Sequence, residues 1–350
     1  MHLPERQRLI LKEIVDRYIR LREPVSSRMI LEDYGLSVSS ATVRNDMSDL
    51  EKHGYIHKPY SSSGRVPTQK GYRFFVEWLL DLSQLAKAEG VEIAQAYEVR
   101  TLDVGEAPRH AAFLLANMTR NAAFVISPDL GDARLERVLL ARLSERMAFL
   151  VVVSDIGIVE QGAIPLDSTA TEDEIERMMR LVNQSLRGAT LAEVRRLAED
   201  ETEGWHERPE RQAILAVARL LEARMGRRLV IEGLVHLIDS LQVVPPGDAL
   251  HRFASLNRTL RDETGFIAAV AASRQGRRGI VVHVGDFPLD GLEEWSVVTC
   301  DYRPCGGVLG VVAPVWMDYG RAMSAVSYVA ARLEALLLGG RPRDIRKGNE

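Results

Sequence analysis

The stretch 36–48, LSVSSATVRNDMS, sets Arg44 beside Asn45 on a segment with helical spacing. Arg and Asn are the side chains that make paired hydrogen bonds to guanine and adenine edges in the major groove, and a small Ala can touch a thymine methyl. Val43, Met47 and Leu50 predict one buried stripe. At about 100° per residue, Ala41, Asn45, Ser48 and Lys52 point the other way, flanked by Thr42 and Arg44. A solvated helix face is normally Glu and Lys. This one is made of short polar residues, which allow a backbone to come close to a surface. Ser39 or Ser40 can cap the helix, and the free amides at that end suit a phosphate. Asp49 also points outward and would repel phosphate, so it must be held clear or paired within the protein.

The flanking elements must position this face. Pro4 can open a first helix, in which Leu11, Ile14, Val15 and Tyr18 recur on one side. REPVSS interrupts it, and Ser26 or Ser27 can cap a short second helix, RMILEDY. Gly35 suits the left-handed residue past its end, and Val38 is available to bury in the turn. Two helices joined by a short Gly-containing turn form a helix-turn-helix. HGYIHKPYSSSGRVP (53–67) then reads as a strand, a polar tip and a second strand. A tip ending in Gly64-Arg65 is a suitable probe for the minor groove or flanking phosphates. Pro67 stops the strand, and Thr68 can cap a last helix with a stripe of Tyr72, Phe75, Leu79 and Leu82. The order predicts a winged helix-turn-helix. Its candidate DNA-binding residues are Ser39, Ser40, Ala41, Thr42, Arg44, Asn45, Ser48 and Lys52 on the helix, with Ser62, Ser63, Gly64 and Arg65 on the hairpin. His53 and His57 flank the wing and could touch phosphate.

Composition limits the alternatives. The 350 residues are 46% hydrophobic and 27% charged, enough apolar content for packed cores and for two or three domains. The longest apolar run, near 148–153, is far short of the ~20 residues that span a bilayer, so no membrane role is expected. Only Cys300 and Cys305 are present, which fits a reducing cytoplasm rather than a disulfide framework. The N-terminus lacks the layout of a secretory signal. Residues 1–80 hold 13 basic and 10 acidic residues, whereas the remainder holds 32 and 39. That asymmetry favours a nucleic-acid-facing N-terminus.

The segments ERQRLILKEIVDRYIRLREPVSSRMI and YGLSVSSATVRNDMSDLEKHGYIHKPYSSSGRVPTQKGYRFFVEWLL resemble the N-terminus of the heat-inducible transcription repressors of the HrcA family. LANMTRNAAFVISP (115–128) is similar to the segment opening that family's second domain, and GGVLGVVAPVWMDYGRAM (306–323) to its C-terminal signature. The resemblance implies an α+β multidomain chain. Its winged helix-turn-helix is followed by a GAF-like domain interrupted by an inserted dimerising domain. It also implies a homodimer that represses chaperone operons at an inverted-repeat operator in double-stranded DNA. A chaperonin acts as modulator, and activity is lost on heat stress. No cofactor is implied.

The remaining residues suggest how that plan is distributed. We expect a DNA-binding domain over 1–82, a linker over 83–104, an inserted dimerising domain over 170–248 and a tail over 341–350. The GAF-like domain would occupy 105–169 and 249–340. An apolar helix is expected at 109–120, followed by strands at AAFVIS, RVLLARL, MAFLVVVS and GIVEQGAI, with a turn at Asp155-Ile156-Gly157. Residues 170–248 read as helical and charged. Their stripe Ile214, Ala218, Leu221 is either intrachain core or part of a dimer seam. GIVVHVG, WSVVTCDY and GVLGVVAP read as strands, and a last helix (319–338) carries Ala325, Val329 and Leu333.

Catalysis has little to stand on: the sequence holds no Walker loop, HExxH or GxSxG. The glycines of GGVLG suit close packing or a bend. Cys300 and Cys305 lack a second pair to complete a zinc site, and His236, in an apolar helix, suits a core position. Two other readings remain: a winged-helix regulator controlled by a small molecule in the GAF-like domain, and a winged helix used for protein docking.

Overall fold

The computed structural model describes residues 3–34, 39–60, 64–81, 106–128, 133–155, 159–166, 169–199, 211–222, 228–242, 244–302 and 306–337. Gly35, Val38, Ser62, Ser63, Leu82, Cys305, the expected linker (83–104) and the expected tail (341–350) fall outside them.

Helix α1 (Glu5–Leu21) follows Pro4 and buries Ile10, Leu11, Ile14 and Val15 completely, with Tyr18 half-buried. Arg22 ends it in the left-handed region, at φ 58°. Helix α2 (Ser27–Tyr34) has Ser26 accepting from the Met29 N–H at 3.3 Å. Ser39 is the N-cap of α3 (Ser40–Lys52), accepting from the Thr42 N–H. Strands β1 (Ile56–His57) and β2 (Val66–Pro67) pair antiparallel. Arg65 adds a two-bond bridge to Val25, at 2.8 Å in each direction, so the link between α1 and α2 joins the small sheet. Thr68 accepts from the Gly71 N–H at the start of α4 (Gln69–Asp81), which buries Tyr72, Phe75 and Val76 and half-buries Leu79.

The body is built on a five-stranded antiparallel sheet ordered β7-β3-β10-β9-β8. These strands are β3 (Ala122–Ile126), β7 (Leu229–Glu232), β8 (Ile280–Val284), β9 (Trp295–Tyr302) and β10 (Gly307–Pro314). Alternate residues serve opposite faces. Ala123, Val125, Leu309 and Val311 join one hydrophobic cluster, whereas Ala122, Phe124, Ile126, Val308 and Val312 join another. With both faces covered, β3 and β10 read as continuous apolar runs instead of alternating ones. Helices α5 (Ala107–Thr119) and α12 (Tyr319–Leu337) cover the first face; α9 (Leu234–Ser240), α10 (Pro246–Arg261) and α11 (Glu263–Ser273) cover the second. Ala325, Val329 and Leu333 of α12 are buried as expected. Two of the GGVLG glycines serve close approach: a Cβ on Gly310 would strike the Val298 carbonyl oxygen, and one on Gly307 would strike the Tyr302 ring, whereas Gly306 has open space and a φ of 73°.

A separate unit corrects the expected domain limits. β4 (Leu135–Ser144), β5 (Met147–Ser154) and β6 (Val159–Pro165) pair only with one another among the described residues. Their cluster is shared with α6 (Glu172–Leu186), α7 (Leu191–Ala198) and α8 (Arg211–Glu222). Residues 135–165 therefore do not extend the main sheet, and the block after 170 is not an all-helical unit of its own. Residues 229–248 also leave that block, because β7 pairs with β3 at the main sheet's edge. Consecutive strands joined by short turns pair with each other before reaching distant partners; apolar patterning reveals strands but not their neighbours. Ile214, Ala218 and Leu221 are buried in this unit's own core. His236 is half-buried on α9, not a core residue.

Candidate nucleic-acid interface

The α3 stripe faces inward as its spacing predicts: Val43 and Leu50 are fully buried and Met47 nearly so. Ser39, Ala41, Arg44, Asn45 and Lys52 are exposed, and Ser40, Thr42 and Ser48 are half-exposed. Ser39 is occupied as the cap and also lies 3.0 Å from the Thr42 hydroxyl. Arg44 Nε is 3.4 Å from Ser27 Oγ on α2, so its guanidinium sits where α2 and α3 meet. The outward Asp49 is paired: Lys52 Nζ lies 3.2 Å from its carboxylate, and the His53 ring closes on its backbone carbonyl at 2.7 Å. The first turn of α3 carries no acidic residue, so its dipole end is open to an anion.

Reading by residue type missed Asp46. It lies on the apolar stripe at Val43 + 3, is 5% exposed, and accepts from Arg6 at 2.6 and 3.2 Å and from Gln7 at 3.4 Å. The pair locks α3 to α1, and the carboxylate raises the Arg6 pKa through that hydrogen bond first and its charge second. The signal was positional: Asp46 shares its side of the helix with Val43, Met47 and Leu50.

The hairpin departs from expectation at its far end. Arg65 is not a free probe: Nη2 lies 2.8 Å from Glu51 of α3, and the side chain is only 17% exposed. Gly64 is explained by packing, since a Cβ would sit 2.5 Å from the Val25 carbonyl. On the opposite arm His57, Lys58 and Tyr60 are exposed, Tyr60 to 76%.

This N-terminal unit is docked on the body. Arg73 Nε donates to the Val284 carbonyl at 2.9 Å and lies 3.6 Å from Asp286; Gln69 donates to the Glu293 carbonyl at 2.7 Å. Arg22 donates to the Trp316 carbonyl, and burial lowers its pKa. Tyr72 and Tyr319 stack obliquely at 6.1 Å.

Elsewhere, burial first and Asp301 second push the Cys300 thiol up to about 12, so it is no nucleophile at neutral pH. Among the described residues no group of three or more His, Cys, Asp or Glu could hold a metal, and no helix is long and apolar enough to cross a membrane.

Known proteins align with this architecture along its length. The family model described as the HrcA protein C-terminal domain matches residues 106–323. A heat-inducible transcription repressor HrcA from Pelotomaculum thermopropionicum is 30% identical, covering 96% of this chain and 97% of that protein. Its counterpart in Chloroflexus aurantiacus is 31% identical, covering 99% of each. The crystal structure of a hypothetical protein superposes with a TM-score of 0.72 at 26% identity, covering 97% of this chain and 99% of that one. The chain thus belongs to the HrcA family of heat-inducible transcription repressors.

Proposed function

We propose that the chain is a homodimeric repressor that reads an inverted-repeat operator in double-stranded DNA through α3. In this reading residues 3–81 form a winged helix-turn-helix, with α2 and α3 as its two helices and β1–β2 as its wing. Residues 106–128 and 228–337 form a GAF-like domain, and 133–222 form the inserted dimerising unit. The operators are those of heat-shock chaperone genes, a chaperonin modulates the protein, and the site of action is the cytoplasm.

The observation that carries the reading is the outward face of α3. Arg44 and Asn45 stand exposed on a helix whose first turn is free of acids and whose later Asp49 is neutralised by Lys52. One such helix offers few base contacts. Specific binding needs more, and a two-fold dimer obtains them by doubling the half-site. A regulator switched by a small molecule in the sheet domain has less support, because side chains pack both faces of that sheet.

Selection of bound duplexes from a random pool tests the proposal. Recovery of a sequence with two inverted half-sites is expected. Recovery of no preferred sequence would overturn the specific reading, and failure to retard any duplex at low salt would favour a protein-docking role.

A further inference from the structure

Resting on the DNA-binding reading above, we infer that the wing contacts DNA through its first arm, Lys58 and Tyr60, while Arg65 is a positioning residue that fixes the wing against α3. A basic residue at a hairpin tip would ordinarily be assigned to a phosphate. The geometry assigns Arg65 otherwise. Its backbone makes both hydrogen bonds to Val25, at 2.8 Å each. Its guanidinium holds Glu51 at 2.8 Å, and it is 17% exposed. Its Nε is buried, so the side chain cannot swing to a phosphate without breaking the ion pair and repacking. The neighbouring Gly64 lies against the Pro24–Val25 backbone, where no side chain fits. The second arm is therefore knitted into the α1–α2 link and into α3.

The first arm differs. Ile56 is buried, which turns the next side chain of β1, His57, outward. Lys58 beyond it is exposed and makes no ion pair among the described residues. Tyr60 is 76% exposed, the most exposed large apolar side chain among the described residues. An exposed ammonium and an exposed aromatic side chain on one arm suit the sugar–phosphate backbone: Lys neutralises a phosphate, and Tyr packs against the sugar. Because Arg65 and Glu51 tie the hairpin to the recognition helix, this arm is carried at a set position relative to Arg44 and Asn45.

The test is the salt dependence of binding by the full chain, using a duplex of random sequence and one recovered by the selection above. Neutralising one phosphate contact changes the slope of log affinity against log salt by about one. Lys58→Ala is expected to reduce the slope by about one on both duplexes. Tyr60→Ala should weaken binding at an unchanged slope. Arg65→Ala and Glu51→Gln, which break the same ion pair from either side, should both retain the wild-type slope. A wild-type slope in Lys58→Ala, or a slope reduced by about one in Arg65→Ala but not in Glu51→Gln, would overturn the assignment. Glu51→Gln keeps the question answerable if Arg65→Ala fails to fold by thermal melting. Should the wild type bind neither duplex, the DNA-binding reading itself falls; a bound duplex with an unaltered Lys58→Ala slope sinks only the wing assignment.

Discussion

Helices α3 and α6 begin with the same device and then diverge. Each has a hydroxyl N-cap, Ser39 in one and Thr171 in the other, and each buries one apolar stripe. In α6 the third residue is Glu174, whose carboxylate returns to Thr171 and completes a capping box, preceded by Glu172 and Asp173. Helix α7 repeats the box with Thr190 and Glu193. In α3 the equivalent position is Thr42, and the first turn has no acid at all. Acids at a helix start favour folding by completing the cap and complementing the dipole. They would also repel a phosphate. The contrast teaches that α3 forgoes a stabilising charge at the end that its proposed ligand must approach, while α6 and α7 keep it.

The largest expected effect tests whether the inner faces are equivalent. Leu50 of α3 and Leu186 of α6 are both fully buried. Leu50→Ala and Leu186→Ala should each cost about 2–5 kcal/mol of stability by denaturant unfolding; a much smaller loss for Leu50 would mean that α3 is not anchored as described. The outer faces should differ more sharply. Asn45→Ala is expected to lose about 1–3 kcal/mol of operator binding and to relax base preference, with little change in melting temperature, as measured by competition between duplexes. An unaltered binding profile would break the assignment of that face.

A smaller change converts one helix into the other kind. Thr42→Glu would give α3 the capping box of α6. It should raise helix stability by about 0.3–1 kcal/mol while weakening DNA binding on the order of tenfold, read by thermal melting and titration on one preparation. Equal binding would show that no phosphate lies at that end. The smallest effect concerns acid. Hydrogen bonds from the Thr190 backbone first and its hydroxyl second hold the Glu193 carboxyl below its ordinary 4.5. A depressed carboxyl pKa stabilises the fold above the unfolded value, and that contribution is lost as pH falls through the folded one. Glu193→Gln should therefore flatten the decline in melting temperature below about pH 4.5 and leave α3 untouched. An identical decline in the variant would place the acid sensitivity elsewhere.

Much of the N-terminal unit was legible because its signals are local. A cap at Ser39 or Ser40, the stripe Val43, Met47, Leu50 and the start at Thr68 follow from spacing and residue type, and the structure selects Ser39. Asp46 was legible by position, though its acidic type argued for the surface. Arg65 was not, because its partner Glu51 is brought near only by the pairing of the hairpin. The body was legible as strands and helices but not as sheets. Period-two patterning locates β4, β5 and β6 without saying that they close on themselves, and β7 is four residues whose meaning comes entirely from β3.

The docking of α4 reaches beyond geometry. Tyr72, Phe75 and Val76 belong to the same hydrophobic cluster as Ala325, Val326 and Val329 of α12. Loosening α12 from its sheet would disturb the Tyr72–Tyr319 contact through which α4 rests on it. If α3 reads DNA as proposed, warming that frees α12 would reach the DNA-binding unit through that shared interior.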